Sequence, residues 1–167
     1  VNSKRWGPLN GTLLNLSYGN GKLFAVPHER ANGLMQGGMV ALPLPPFPTG
    51  VMRGRFHPHD GQLYLCGMFA WAGSATQPGG MYRVRPTGQP FHLPIELHAK
   101  KSRLTLTFTE PLDPAALDSK AVQVKTWSLK RTASYGSNHY DEKQLDVRGA
   151  ALSTDGRTLA LDVPNLA

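Results

Sequence analysis

Between Thr12 and Val26 the chain reads TLLNLSYGNGKLFAV, with apolar residues alternating on both sides of Gly19-Asn20-Gly21. A period of two marks a strand with one buried face, and the central glycines supply the positive backbone angles of a tight hairpin. GGMVALPLP then reads as a strand stopped by prolines. GVMRGRF and GQLYLCGMF flank the turn HPHDG, and GGMYRVRPTG closes the series. No segment here requires a helix. Short strands in hairpin order, repeating every 8 to 12 or so residues, predict an antiparallel all-β barrel, sandwich or propeller.

The pattern continues with a different texture after Ala99. In RLTLTF, Leu104, Leu106 and Phe108 share one face and Thr105 and Thr107 the other, which predicts a sandwich strand buried on one side. Pro111 and Pro114 stop it, and Asp113 can cap a short helical turn that has proline at its first position. A strand through Val122, Val124 and Thr126 follows, with Trp127 expected in the core. ASYGSNHYDEKQ reads as a polar surface loop, and GAALSTDGRTLALDV as a hairpin turning at Asp155-Gly156 over Leu152, Leu159 and Leu161. Five strands fall short of the roughly seven of an immunoglobulin-like sandwich, so this module is expected to be incomplete.

Composition sharpens the division. Residues 1–98 hold 15 of the 18 glycines, 11 of the 14 prolines and all five methionines, whereas 99–167 hold 8 of the 11 acidic residues. The shift places a boundary near Ala99, between a module over 1–98 whose hairpin-ordered strands suit a propeller blade and a module over 99–167 whose strands suit an Ig-like β-sandwich. Hydrophobic content of 40% with 17% charged residues suits a folded chain. No apolar run approaches the roughly 20 residues of a membrane helix, so no membrane association is expected. The net charge of +7 is scattered rather than gathered into a stripe, which argues against nucleic acid as a partner. One cysteine excludes an internal disulfide framework and paired-cysteine zinc sites. The chain opens on Val1 rather than Met, which leads us to expect a processed product or a piece of a longer protein.

Candidate chemistry gathers in VMRGRFHPHDGQLYLCGMFAW. Arg53 and Arg55, two apart on a strand, face the same side and can converge on one anion with a fork geometry suited to carboxylates, or line a solvated face and pair with acids such as Asp60 or Glu29. Arg83 and Arg85 repeat the spacing. His57 and His59, with Cys66 and Met68 as soft partners across the hairpin, offer a metal-ligand set for copper or zinc, although His-Pro-His-Asp-Gly also reads as a plain turn with a buried thiol behind it. Trp71 and Tyr82 lie beside the glycine-rich AGSATQPGG, where aromatic rings can stack on sugars or pack in a core. His139 with Asp141 and Glu142 could carry acid–base chemistry, but no nucleophile elbow surrounds Ser17, Ser74 or Ser137, and no catalytic residue is assigned.

Through WGPLNGTLLNLSYGNGKLF, QGGMVALPL, GVMRGRFHPHDGQLYLCGMFAW and GGMYRVRPTG, the first module resembles the closing part of a glucose/sorbosone-dehydrogenase-like β-propeller, of the kind found in secreted planctomycete and verrucomicrobial haem-binding proteins. The second resembles a bacterial Ig-like domain through LTFTEPLDPAALDSKAVQV and LSTDGRTLALDV. The resemblance implies secretion or a periplasmic location, a carbohydrate-related role, and contact of Arg53 and Arg55 with the carboxylates of pyrroloquinoline quinone. The strands suffice for about one and a half blades, whereas a ring needs at least four. The implied partners are then the missing blades of a longer chain, a carbohydrate, or a second copy paired through strand edges. A binding or structural module is expected. The enzyme alternative is a metal-dependent redox or hydrolytic protein acting on polysaccharide, with a metal ion at His57, His59 and Cys66.

Overall fold

The computed structural model describes residues 1–70, 75–118, 122–133 and 136–166. The fold is all-β, and among the described residues the strands form small antiparallel sheets, none of them closed. The chain divides into two compact units, Val1–Leu97 with Thr107–Glu110, and His98–Leu106 with Pro111–Ala167.

The first unit opens on two 3-10 turns that meet at Gly7 and bury Trp6 and Leu9. Strands β1 (Leu14–Ser17) and β2 (Lys22–Ala25) form the expected hairpin, with Leu16 opposite Leu23. A two-residue strand β5 (Val40–Ala41) pairs on the far side of β2. Prolines at 43, 45, 46 and 48 keep β5 short, since each lacks a ladder donor. Between them, β3 (His28–Ala31) and β4 (Leu34–Gly37) make a hairpin of their own that the apolar pattern did not reveal. Its turn is Asn32-Gly33, both at positive φ (50° and 81°), the backbone that an Asn-Gly pair favours. The flanking residues HERA and LMQG have no buried face to alternate toward, so only the dipeptide signalled the turn.

The largest sheet of this unit runs in the order β6 (Gly50–Phe56), β7 (Leu63–Met68), β8 (Gly79–Val84). Val51, Leu63, Leu65 and Val84 turn inward and join Trp6, Leu9, Leu23, Ala25, Leu42 and Leu93 in one core. Gly54, between the two arginines, also faces in. A Cβ there would lie 2.7 Å from Leu65 Cδ2 and 3.3 Å from Leu16 Cδ1, so glycine makes room for leucines of two sheets to meet. Gly67 is held more tightly still, since its Cβ would lie 2.0 Å from the Gly50 carbonyl oxygen. The register slips by one between Val51 and Arg53, leaving Met52 as the extra residue of a β-bulge.

In the second unit the sheet order is β13 (Gly149–Leu152), β14 (Thr158–Asp162), β10 (Arg103–Phe108), β9 (Pro94–Lys100), the last two strands running across the boundary in sequence. Leu159, Leu161 and Val163 are buried, and Leu152 is half-buried. Asp113 accepts a hydrogen bond from the Ala115 amide and caps the turn Pro114–Ala116 as the sequence suggested. Ser102 is held at φ 62° between β9 and β10, its amide on the Leu166 carbonyl and its hydroxyl on that of Pro164. Leu104 through Phe108 are all half-buried, so the period of two in β10 does not become one wet and one dry face. That strand is flanked on both sides, by β14 and β9.

Two expectations are corrected here. The supposed polar loop contains β12 (Tyr140–Leu145), which pairs with β11 (Val124–Ser128). It escaped notice because four of its six residues are polar and exposed in succession. Trp127 is not core but 45% exposed, its indole stacked on the His139 ring with centroids 4.2 Å apart.

The outward-and-inward division of β7 and β8 has a direct test. Leu65→Ala, at a fully buried position, should cost roughly 2–5 kcal/mol of stability by urea unfolding. Met81→Ala, on the opposite face, should change it by less than about 0.5 kcal/mol.

Candidate functional site

The inward packing of Val51, Leu63 and Leu65 sends their strand neighbours to water. On that outer face Arg53 stands opposite Cys66, and Cys66 opposite Met81; one step along, Arg55 stands opposite Tyr64, and Tyr64 opposite Arg83. Arg53, Arg55 and Arg83 are all exposed. At the spacings of a sheet, Arg53 and Arg55 lie about 7 Å apart along β6, and Arg83 about 10 Å from Arg55 across Tyr64. None of the three strands contains an acidic residue, and no ion pair found among the described residues involves these arginines. Arg55 donates one hydrogen bond to the Gly54 carbonyl at 3.1 Å. In register, Arg55 and Arg83 thus flank Tyr64 on its two sides and Arg53 lies diagonal to it, on an open surface.

The phenol is held in place by the turn. Tyr64 donates to Asp60 Oδ2 at 2.9 Å, while Asp60 Oδ1 accepts the Gln62 amide at 2.8 Å. The Gln62 amide, then the Tyr64 hydroxyl and the charges of His57 and Arg5, hold the Asp60 carboxyl below its ordinary range, against a desolvation that acts the other way. His57 Nδ1 lies 3.4 Å from Asp60 Oδ1, and its ring packs near those of His59 and Tyr64, at 5.5 and 5.8 Å between centroids.

Cys66 does not join those histidines. The His57 amide bonds the Gln62 carbonyl, whereas Cys66 pairs with Arg53, four ladder positions away and so about 13 Å along the strands. The sequence set them together because both flank one turn, but pairing follows distance from the turn. Among the described residues no three His, Cys, Asp or Glu side chains are grouped to hold a metal.

The remaining candidates separate in the same way. Tyr82 faces inward, opposite Leu65, and donates to Thr49 Oγ1 at 3.0 Å while its ring packs 4.8 Å from that of Phe47. It is therefore on the other side of β8 from Arg83. Arg85 lies just past the end of β8, at the edge of a mainly apolar groove of about 510 Å³. Trp6, Leu42, Leu44, Val84 and Phe91 line that groove. Trp71 lies outside the described residues.

On the ribbon of β11 and β12, Lys125 Nζ meets Glu142 Oε1 at 2.9 Å and His139 Nδ1 meets Glu142 Oε2 at 3.2 Å. The hydrogen bond from Lys125, then that from His139, depresses the Glu142 carboxyl. The carboxylate that could have served acid–base work is thus committed to an ion-paired surface cluster.

The outer face of β6–β7–β8 went unrecognised as a unit because its residues come from three segments. The available signal was a shared one: RGR and RVR both place arginines at the polar phase of alternating strands. Comparison with family models, with curated proteins and with solved structures finds no match to this chain. Among the described residues no helix is long and apolar enough to cross a membrane.

The Asp60 carboxyl, with its folded pKa depressed, stabilises the fold above its unfolded value near 4 and loses that contribution as pH falls through the folded value. Asp60→Asn should therefore be less stable than the parent at pH 7, and the gap should close in acid. Urea unfolding of both proteins across the acid range measures it.

Proposed function

We propose that the chain is a binding module of a secreted, carbohydrate-related protein, and that its arginine face takes carboxylate groups of an acidic polysaccharide. The observation that carries this reading is the placement of Arg53, Arg55 and Arg83 about Tyr64 on one exposed sheet face whose three strands carry no acidic residue, Asp60 at the adjoining turn being held by Tyr64 and the Gln62 amide. Guanidiniums bind carboxylates through paired N–H donors, and a phenol ring gives a sugar an apolar edge to rest on.

The magnitudes favour a polymer. An exposed arginine–carboxylate pair contributes about 0–1 kcal/mol, so one uronate would bind weakly, whereas a chain engaging several arginines at once gains from effective concentration. The mutual repulsion of Arg55 and Arg83, about 0.4 kcal/mol at 10 Å in water, is small enough for the fold to tolerate and is relieved when an anion lies between them.

The larger setting we propose is the one the sequence resembles: the closing strands of a glucose/sorbosone-dehydrogenase-like propeller followed by an Ig-like module, completed by blades elsewhere in a longer chain or by a second copy at a strand edge. The carboxylates of pyrroloquinoline quinone suit the arginines chemically. The face is an open sheet surface, however, and the Tyr82 ring that could have walled a planar cofactor is turned into the core. The fit is to carboxylates in general rather than to an enclosed quinone.

Calorimetry of the purified chain with polygalacturonate, set against a neutral glucan, tests the reading. Binding should be confined to the acidic polymer, weaken as salt is raised, and fall about 10- to 100-fold in the Arg53→Ala/Arg55→Ala/Arg83→Ala variant. Equal binding to the neutral glucan, or undiminished binding by the triple variant, would overturn it.

A further inference from the structure

All five methionines of this chain that the sequence places before Ala99 are exposed, from 46% for Met52 to 80% for Met81. Methionine is ordinarily a core residue, so a fully wet set needs a reason. Three of the five gather about the single cysteine. Cys66 and Met81 are directly opposed on β7 and β8, which puts their Cβ atoms about 5 Å apart on one face. Met68 lies two residues beyond Cys66 on that same face and is opposed by Gly79, which contributes no side chain to crowd it. Met52, the extra residue of the β6 bulge, is exposed beside the Arg53–Cys66 pair.

We propose that Cys66, Met68 and Met81 form a soft-metal site that takes one copper(I) ion. Thiolate and thioether sulfurs select Cu(I) over harder cations, and a trigonal set of one thiolate and two thioethers satisfies a monovalent ion. The three Cβ positions make a triangle with sides of about 5, 7 and 7–8 Å. Each methionine has three side-chain torsions with which to swing its sulfur inward to a common point. Binding exchanges one proton for one cation: the Cys66 S–H bond breaks, the S–Cu bond forms, and the proton leaves to solvent, with no change in copper oxidation state. The complex is electrically neutral at the sulfurs, and the neighbouring Arg53 does not oppose it. Sulfurs on an open sheet surface suit an ion that is passed on rather than locked away. This site uses none of the arginines that carry the polysaccharide reading, and neither histidine of the turn.

The test is an anaerobic titration of the full chain with Cu(I) against a chromophoric chelator, with X-ray absorption to read the coordinating atoms. One copper per chain in an all-sulfur shell is expected. Cys66→Ser should abolish binding, and Met68→Leu and Met81→Leu should each weaken it about tenfold or more. His57→Ala/His59→Ala should leave it unchanged. All these positions are exposed, and circular dichroism checks that each variant folds. Loss of copper in the double-histidine variant, retention in Cys66→Ser, or one copper per two chains unaffected by the methionine substitutions would each overturn the proposal, the last by showing a thiol-bridged dimer instead.

Discussion

A strand cannot bury one residue without turning the next one away, and the first unit depends on that constraint. Val51, Leu63 and Leu65 are driven inward because each removes apolar area from water, at about 25 cal/mol per Å². Once they are seated, Arg53, Arg55, Tyr64, Cys66, Met68, Met81 and Arg83 have only the outer face available. The candidate site is thus the reverse side of the core.

Two features keep that reverse side ordered. Gly54 and Gly67 let neighbouring leucines and the Gly50 carbonyl come close, so β6 and β7 lie flat against the core without a side chain wedged beneath them. The HPHDG turn then ties the end of the sheet, with Asp60 bridging the Gln62 amide and the Tyr64 hydroxyl. Order at the phenol matters more than order at the arginines, whose long side chains can adapt to an anion at some cost in rotamer entropy.

The face also divides by chemistry. Toward the turn Arg55 and Arg83 present nitrogen donors and positive charge; toward the opposite end Cys66, Met81 and Met68 present sulfur, with Arg53 opposite Cys66 where the two meet. Hard carboxylate oxygens and a soft monovalent metal call for different partners, so the two ends need not compete for one ligand. The bulge at Met52 marks the change, since it is there that the ladder slips and an additional side chain reaches the surface.

Alternation, turn residues and prolines together made the all-β class and most of the hairpins of the first unit readable along the chain, because they act between residues close in sequence. The arginine spacing on β6 was legible for the same reason. What only the tertiary structure decided was which strands lie side by side, in what register, and which face each turns to the core. Those choices joined Arg83 to Arg53 and Arg55, withdrew Tyr82 to the interior, carried Cys66 away from His57 and His59 toward Met81, and left Trp127 on an exposed ribbon. The physical reason is that cross-strand partners are selected by burial and by hydrogen bonding over long separations in the chain, and a one-residue slip, as at Met52, redirects a side chain without altering any local pattern.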